Sequence, residues 1–219
     1  MKLNLWKILS LVLVIISVLA GIFLYDKMPE QMASHWNAQG IVDGHISRFW
    51  GLFLMPLITL GLFLVLVFLP RLDPLKANVE KFRSYYEKFI FLFTLFMVYV
   101  HALTLLWNLS FKFELLVMLS PAFAMLLFYL GVLISKSERN WFIGIRTPWT
   151  LSSDKVWNKT HHLGGILFKI SGLIALLGLI YPNWALESIL IPIVLSVIIT
   201  LFYSYYVYHE EKHPFGKKV

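Results

Sequence analysis

The stretch His209-Glu210-Glu211-Lys212-His213 is the one part of this chain that fits an enzyme pattern, H-E-x-x-H. On a helix the two imidazoles fall one turn apart and could share a zinc ion, with Glu210 as general base for an activated water. That would be the chemistry of a metal-dependent hydrolase. Context argues against it: Pro214 follows at once, and a zinc-protease helix is enclosed by the fold that shapes its cleft. A third ligand would have to come from His161, His162, Asp154 or Glu138. A second set, His35, His45, Asp43 and Glu30, offers ligand types that zinc accepts. Its spacing matches no established metal motif, and hydrogen bonding within a turn explains it equally well. No G-x-S-x-G, phosphate-binding glycine loop or nucleophile–base pair occurs, and cysteine is absent, which excludes disulfides and thiolate metal sites. The reading is therefore a non-enzyme with no catalytic residue, no metal and no cofactor. A metal-dependent membrane hydrolase is the alternative.

The elements that carry these residues are membrane helices. With 59% hydrophobic and 14% charged residues, the 219-residue chain is far more apolar than a soluble domain. Uncharged runs extend over residues 8–25, 49–70, 89–111, 115–135, 170–186 and 188–208. Each approaches the ~20 residues that a helix rising ~1.5 Å per residue needs to cross ~30 Å of hydrocarbon. The fifth is short unless it starts near Leu163 with Lys169 inside it, the ammonium reaching for the headgroups. Six spans follow, in an all-α integral membrane bundle. The first resembles a secretory signal, with Lys2 and Lys7 before an apolar run and Val18-Leu19-Ala20 as a cleavage-like site. Apolar residues continue through Tyr25, however, and we expect a retained membrane helix.

Of the 19 Lys and Arg residues, only Lys27, Arg48 and Lys112 fall in the odd-numbered connections. The positive-inside rule then puts both termini in the cytoplasm, the 26–48 loop outside and the 136–169 connection inside. The net charge of +7 reflects this bias and attraction to anionic lipid, not nucleic-acid binding.

The outer loop, with Asn37 to Gly40 and Asp43-Gly44 as turn signals, predicts a compact turn structure on the helix ends. Asp73-Pro74 predicts a helix start. Behind it Val79, Phe82, Tyr86 and Phe89 share one face, while Lys76, Glu80, Arg83, Glu87 and Lys88 populate the rest, as in a helix lying on the inner membrane surface. His101 is placed mid-span and should face the bundle interior. Gly164, Ser171, Ala175 and Gly178 form a small-residue stripe for helix packing, and Tyr203, Tyr205, Tyr206 and Tyr208 form an inner aromatic belt. His161 and His162, at a helix start with Lys169 on a similar face, suggest either an anion-binding edge or loop-to-helix hydrogen bonds.

The inner connection is the most specific part of the chain. It reads Trp141-Phe142-Ile143-Gly144-Ile145-Arg146-Thr147-Pro148-Trp149-Thr150-Leu151, with Trp157, Thr160, His161, Gly164 and Gly165 following. Loop residues with this much chemistry bind something or fix a shape. The stretch 143–151 resembles, almost letter for letter, the signature of the SdpI family of integral membrane proteins. Pro29, His35-Trp36-Asn37 and Asp43-Gly44 are similar to the short N-terminal, DUF1648-like segment that accompanies many members, and Asp73-Pro74 and Asn78 also fit. By that likeness residues 1–49 form a first helix with its outer loop and 50–219 the remaining five helices, together one structural unit in a multi-pass prokaryotic cell membrane protein.

The resemblance implies protection against a secreted, membrane-active peptide toxin and, in the best-known case, sequestration of a cytoplasmic repressor at the membrane. Beyond the lipid bilayer, the expected partners are thus an extracellular peptide toxin and a cytoplasmic repressor protein, with no direct nucleic acid contact. His35, Trp36, Asn37 and Asp43 are the candidate ligand-binding residues outside. Gly144, Arg146, Thr147, Pro148, Trp149, Thr150, Trp157 and His161 form the candidate structural or partner-docking motif inside.

Overall fold

A computed structural model describes residues 4–213. After α1 (Leu5–Leu24) come β1 (Gln31–Trp36) and β2 (Val42–Ser47), then α2 (Arg48–Leu72), α3 (Lys76–Lys81), α4 (Arg83–Asn108), α5 (Leu115–Lys136), α6 (Pro148–Ser152), α7 (Asp154–Ala175), α8 (Leu177–Ile180) and α9 (Ala185–Lys212). Six helical segments are long and apolar enough to cross a membrane: α1, α2, α4, α5, α7 continued by α8, and α9. Their number returns the chain to its starting side, opposite the strands. The protein is an all-α multi-pass membrane protein with one small sheet.

The spans form two groups of three. α1, α2 and α4 pack on one another, as do α5, α7 and α9, and α4 against α5 joins them. Within the second group α7 is central. Lipid tails are as apolar as leucine, so close backbone contact and hydrogen bonds must hold these helices together. Gly165 and Gly172 supply that contact toward α5: a Cβ on either would run into the backbone of Gly131 or Ala124. The predicted stripe faces α9 instead, where Gly164 lies beside Thr200, Gly178 beside Ala185, and Ser171 bonds Ser196 at 3.0 Å. α7 therefore has two small-residue faces.

Three expectations are corrected. The 26–48 connection is an antiparallel β-hairpin with irregular register near His35, not a set of turns. In β1 Met32 is buried against Gly51 of α2 and Ala33 beside it is buried too, whereas Gln31 and Ser34 on either side are exposed. Second, the amphipathic segment begins as the six-residue α3, and its apolar face is turned to protein rather than to lipid. The chain bends at Phe82 between α3 and α4, and Val79, Phe82 and Tyr86 are buried with Phe63, Val67 and Ile143 in a core below the inner loop. Amphipathic periodicity reports only an apolar neighbour, and here the neighbour is protein. Third, α7 begins at Asp154 and α9 at Ala185, so each span includes charged or polar residues that the uncharged runs leave out.

Sidedness can be tested cleanly because the chain has no cysteine. A single cysteine replacing Gln39 should react with a membrane-impermeant maleimide in intact cells. One replacing the exposed Ser152 should react only after lysis.

Candidate functional site

The inner connection is a small ordered unit built on α7. Asn140 starts it: its carboxamide oxygen accepts from the Phe142 and Ile143 amides, and its nitrogen donates to the Glu138 and Ile143 carbonyls. Gly144 follows at φ 119°, in the left-handed half of backbone space that glycine tolerates. A side chain there would also collide with the His161 ring. Thr147 then caps α6, with Pro148 at its first position. Thr147 and Thr150 exchange side-chain-to-backbone bonds across that turn.

His161 locks the loop to the helix. Nδ1 bonds the Trp157 carbonyl at 2.8 Å, and Nε2 accepts the Ile145 amide at 2.9 Å. These two bonds define a neutral imidazole with its hydrogen on Nδ1. The ring stacks on Trp157 at 3.8 Å between centroids, and Trp157 Nε1 donates to the Ser137 carbonyl at the end of α5. Backbone amides that would otherwise be buried unpaired are satisfied in this way.

Other elements hold the rim. Asp73 accepts the Trp141 amide, Asn78 donates to the Arg139 carbonyl, and Arg139 pairs with Asp154 at 2.6 Å. Thr147 bonds Ser204, Trp149 packs edge-on against Tyr205, and Ser153 bonds Glu211, all on α9.

The predicted inner residues thus come together, with unequal roles. Gly144, Thr147, Thr150, Trp157 and His161 face inward and build the loop. Arg146 and Pro148 are exposed, and Arg146 makes one hydrogen bond, from Nη1 to the carbonyl of the half-exposed Trp141. An anion-binding edge at His161 and His162 does not form. Both lie two turns inside α7, where the backbone amides are already spent, and His161 is committed to the loop.

Outside, the hairpin brings His35, Trp36, Asn37 and Asp43 into one neighbourhood. Asn37 builds the turn: its side-chain oxygen accepts from the Gln39 and Ile41 amides, and Gly40 follows at φ 73°. Trp36 packs edge-on against Trp107 of α4 at 5.5 Å. His35 and Asp43 form a solvent-exposed pair at 2.5 Å and are the free outward groups of the four.

One feature of α4 is missed by reading charge and hydropathy alone. Glu87, Thr94, His101 and Asn108 recur every seventh residue and are polar groups facing α1 or the hairpin. α1 buries Lys7, Ser10, Val14, Ser17 and Gly21 at the alternating three-and-four spacing of a left-handed helix pair; Lys7 and Ser17 meet α4, and Gly21 lies against Leu52 and Phe53 of α2. Lys7 pairs with Glu87 at 2.8 Å, both largely buried, and Asn4 and Arg83 complete the carboxylate's partners. Ser17 bonds His101 Nδ1 at 2.6 Å, and His101 Nε2 has no hydrogen-bond partner among the described residues. Asn108 exchanges both backbone bonds of Ala33, pinning β1 to the outer end of α4. The sevenfold spacing was the available signal for this seam. Glu87 instead reads as a surface residue until its partner Lys7 is placed.

The two zinc arrangements fare alike. The His209 and His213 rings sit 4.9 Å apart, but Glu210 lies by Lys159 and Glu211 bonds Ser153. Among the described residues no three His, Asp or Glu side chains converge on a point where an ion could sit, inside or outside.

Comparison with known proteins matches two separate segments of the chain. Residues 136–206 match the SdpI/YfhL protein family and residues 12–60 match a domain of unknown function, DUF1648. The chain is 24% identical over 205 residues to a Bacillus subtilis (strain 168) protein named "Immunity protein SdpI", covering 93% of this chain and 96% of that one. No solved structure matches significantly. The first matched segment contains α1 from Val12 onward and the hairpin, and the second contains the whole inner loop.

Two stability predictions follow from the loop geometry. His161→Ala strands the Ile145 amide and removes the stacked ring, and should cost about 2–4 kcal/mol in reversible denaturation in micelles. His162→Ala, on the exposed side of the same turn, should stay within about 0.5 kcal/mol. Arg146→Ala loses one exposed hydrogen bond and should cost about 1 kcal/mol or less by the same measurement.

Proposed function

We propose that this chain, which belongs to the SdpI family, is an immunity protein that protects its cell against a secreted, membrane-active peptide toxin. The observation that carries this reading is a likeness spanning nearly the whole length of both chains to a protein named for immunity. The matched segments include the two loops whose residues are most specific here.

In this reading the outer hairpin meets the toxin. A peptide arriving from outside encounters the hairpin first, and Asn108 fixes its position on α4. Trp36 and Asn37 shape the surface, while His35 and Asp43 present polar groups on it. The inner loop is the surface for a cytoplasmic regulator, as expected for a repressor held at the membrane. Trp141 and Arg146 stand side by side and exposed at its edge, and Trp and Arg are the residue types that dominate binding hot spots. The inward-facing residues of the loop, Gly144, Thr147, Thr150, Trp157 and His161, keep that edge in place and contact no partner themselves.

Expression in a host sensitive to such a toxin tests the reading. The chain should confer growth in its presence, and His35→Ala with Asp43→Ala should reduce that protection at unchanged membrane abundance, because an exposed ion pair contributes little to stability. Equal growth with and without the wild-type chain would sink the immunity reading.

A further inference from the structure

Beneath the hairpin tip lies a cavity of about 450 Å³, bounded by residues 38–40, the start of α5 at Glu114, and the start of α9 at Asn183 and Glu187. Glu187 also borders a second hollow of about 550 Å³, an apolar groove between α7–α8 and α9 lined by Leu177, Trp184, Ile191 and Leu195. The two hollows share Glu187 in their walls, the first under the hairpin tip and the second on the exposed apolar side of the helices.

The groove exists because the inner contacts of α7–α8 with α9 are made by small residues. Gly178 approaches Ala185 and Ser171 bonds Ser196, so the large side chains splay outward around an open furrow. Leu177, Trp184, Ile191 and Leu195 are all exposed there.

The electrostatics select the occupant. Among the described residues neither Glu114 nor Glu187 is in an ion pair. Two of the three outer cations lie over aromatic rings, Lys112 over Trp107 at 3.1 Å and Arg48 over Tyr25 at 5.5 Å, and among the described residues the third, Lys27, pairs with neither carboxylate. A phospholipid entering the groove would bring its phosphate against free carboxylates. A chain with apolar side chains and Lys or Arg at its head would instead satisfy both the groove and the carboxylates.

We propose that cavity and groove form one docking site for a cationic amphipathic peptide, its apolar face on Leu177, Trp184, Ile191 and Leu195 and its cationic side chains on Glu114 and Glu187. The identification of such a peptide with a toxin rests on the immunity reading. The site itself does not.

The test uses the full chain in phosphatidylcholine nanodiscs, with an environment-sensitive fluorophore on a single cysteine replacing Gln39. The probes are a synthetic Lys/Leu amphipathic peptide and its Glu/Leu counterpart. The Lys/Leu peptide should give a saturable signal and the Glu/Leu peptide none. Glu114→Gln with Glu187→Gln should weaken binding about tenfold or more, the scale of a lost charge-assisted contact. Ile191→Trp, which fills the groove from an exposed position, should weaken it comparably without loss of charge. Equal binding of the two peptides, or unchanged affinity in both variants, would overturn the site. Protection of a sensitive host separates the two readings. A wild-type chain that protects while the variants bind and protect equally leaves immunity standing without this site. A chain that binds selectively but fails to protect leaves the site standing without immunity.

Discussion

The inner half of the protein depends on the His161 imidazole, whose two nitrogens are both spent on backbone groups. Its acceptor nitrogen takes the Ile145 amide from the loop, and its donor holds the helix carbonyl one turn back. The stacked Trp157 in turn reaches the end of α5. A loop between two spans would ordinarily be solvated and variable in shape. This one is built into the helices because its buried amides have no water and must be paired internally. Gly144 has no side chain for a related reason: the ring occupies that space.

A second constraint acts on the outer half. The α1–α4 seam is polar along its length, from Lys7 and Glu87 at the inner end, through Ser17 and His101, to Asn108 under the hairpin. Polar groups at this depth are costly unless paired, and pairing them fixes the register of the two helices. The unpaired Nε2 of His101 is the exception. One rigid helix thus carries both the hairpin anchor and the inner ion pair.

The two faces therefore differ in kind. The inner face is basic and closed by a network of hydrogen bonds, with Trp141 and Arg146 at its edge. The outer face holds free carboxylates around a hollow that opens toward lipid. The proposed function, with a peptide met outside and a partner inside, would use this asymmetry, since the occupants of the two surfaces would meet different solvents and opposite charges.

What the sequence by itself determined were the local quantities. Six spans follow from the lengths of uncharged runs, the expected sidedness from the distribution of Lys and Arg, and the special status of residues 141–165 from composition and motif. Those properties need no neighbour, because the bilayer acts on each segment alone. Residues whose role depends on a partner were decided by the tertiary structure. Glu87 read as surface and is buried on Lys7, 80 residues away, and His101 finds Ser17 at a separation of 84. The apolar face of Val79, Phe82 and Tyr86 read as membrane-facing and meets protein. The outer loop read as turns and pairs as strands, because its amides bond one another across the hairpin and the tip of α4 holds Ala33. Periodicity states that a face is buried. Only packing states against what.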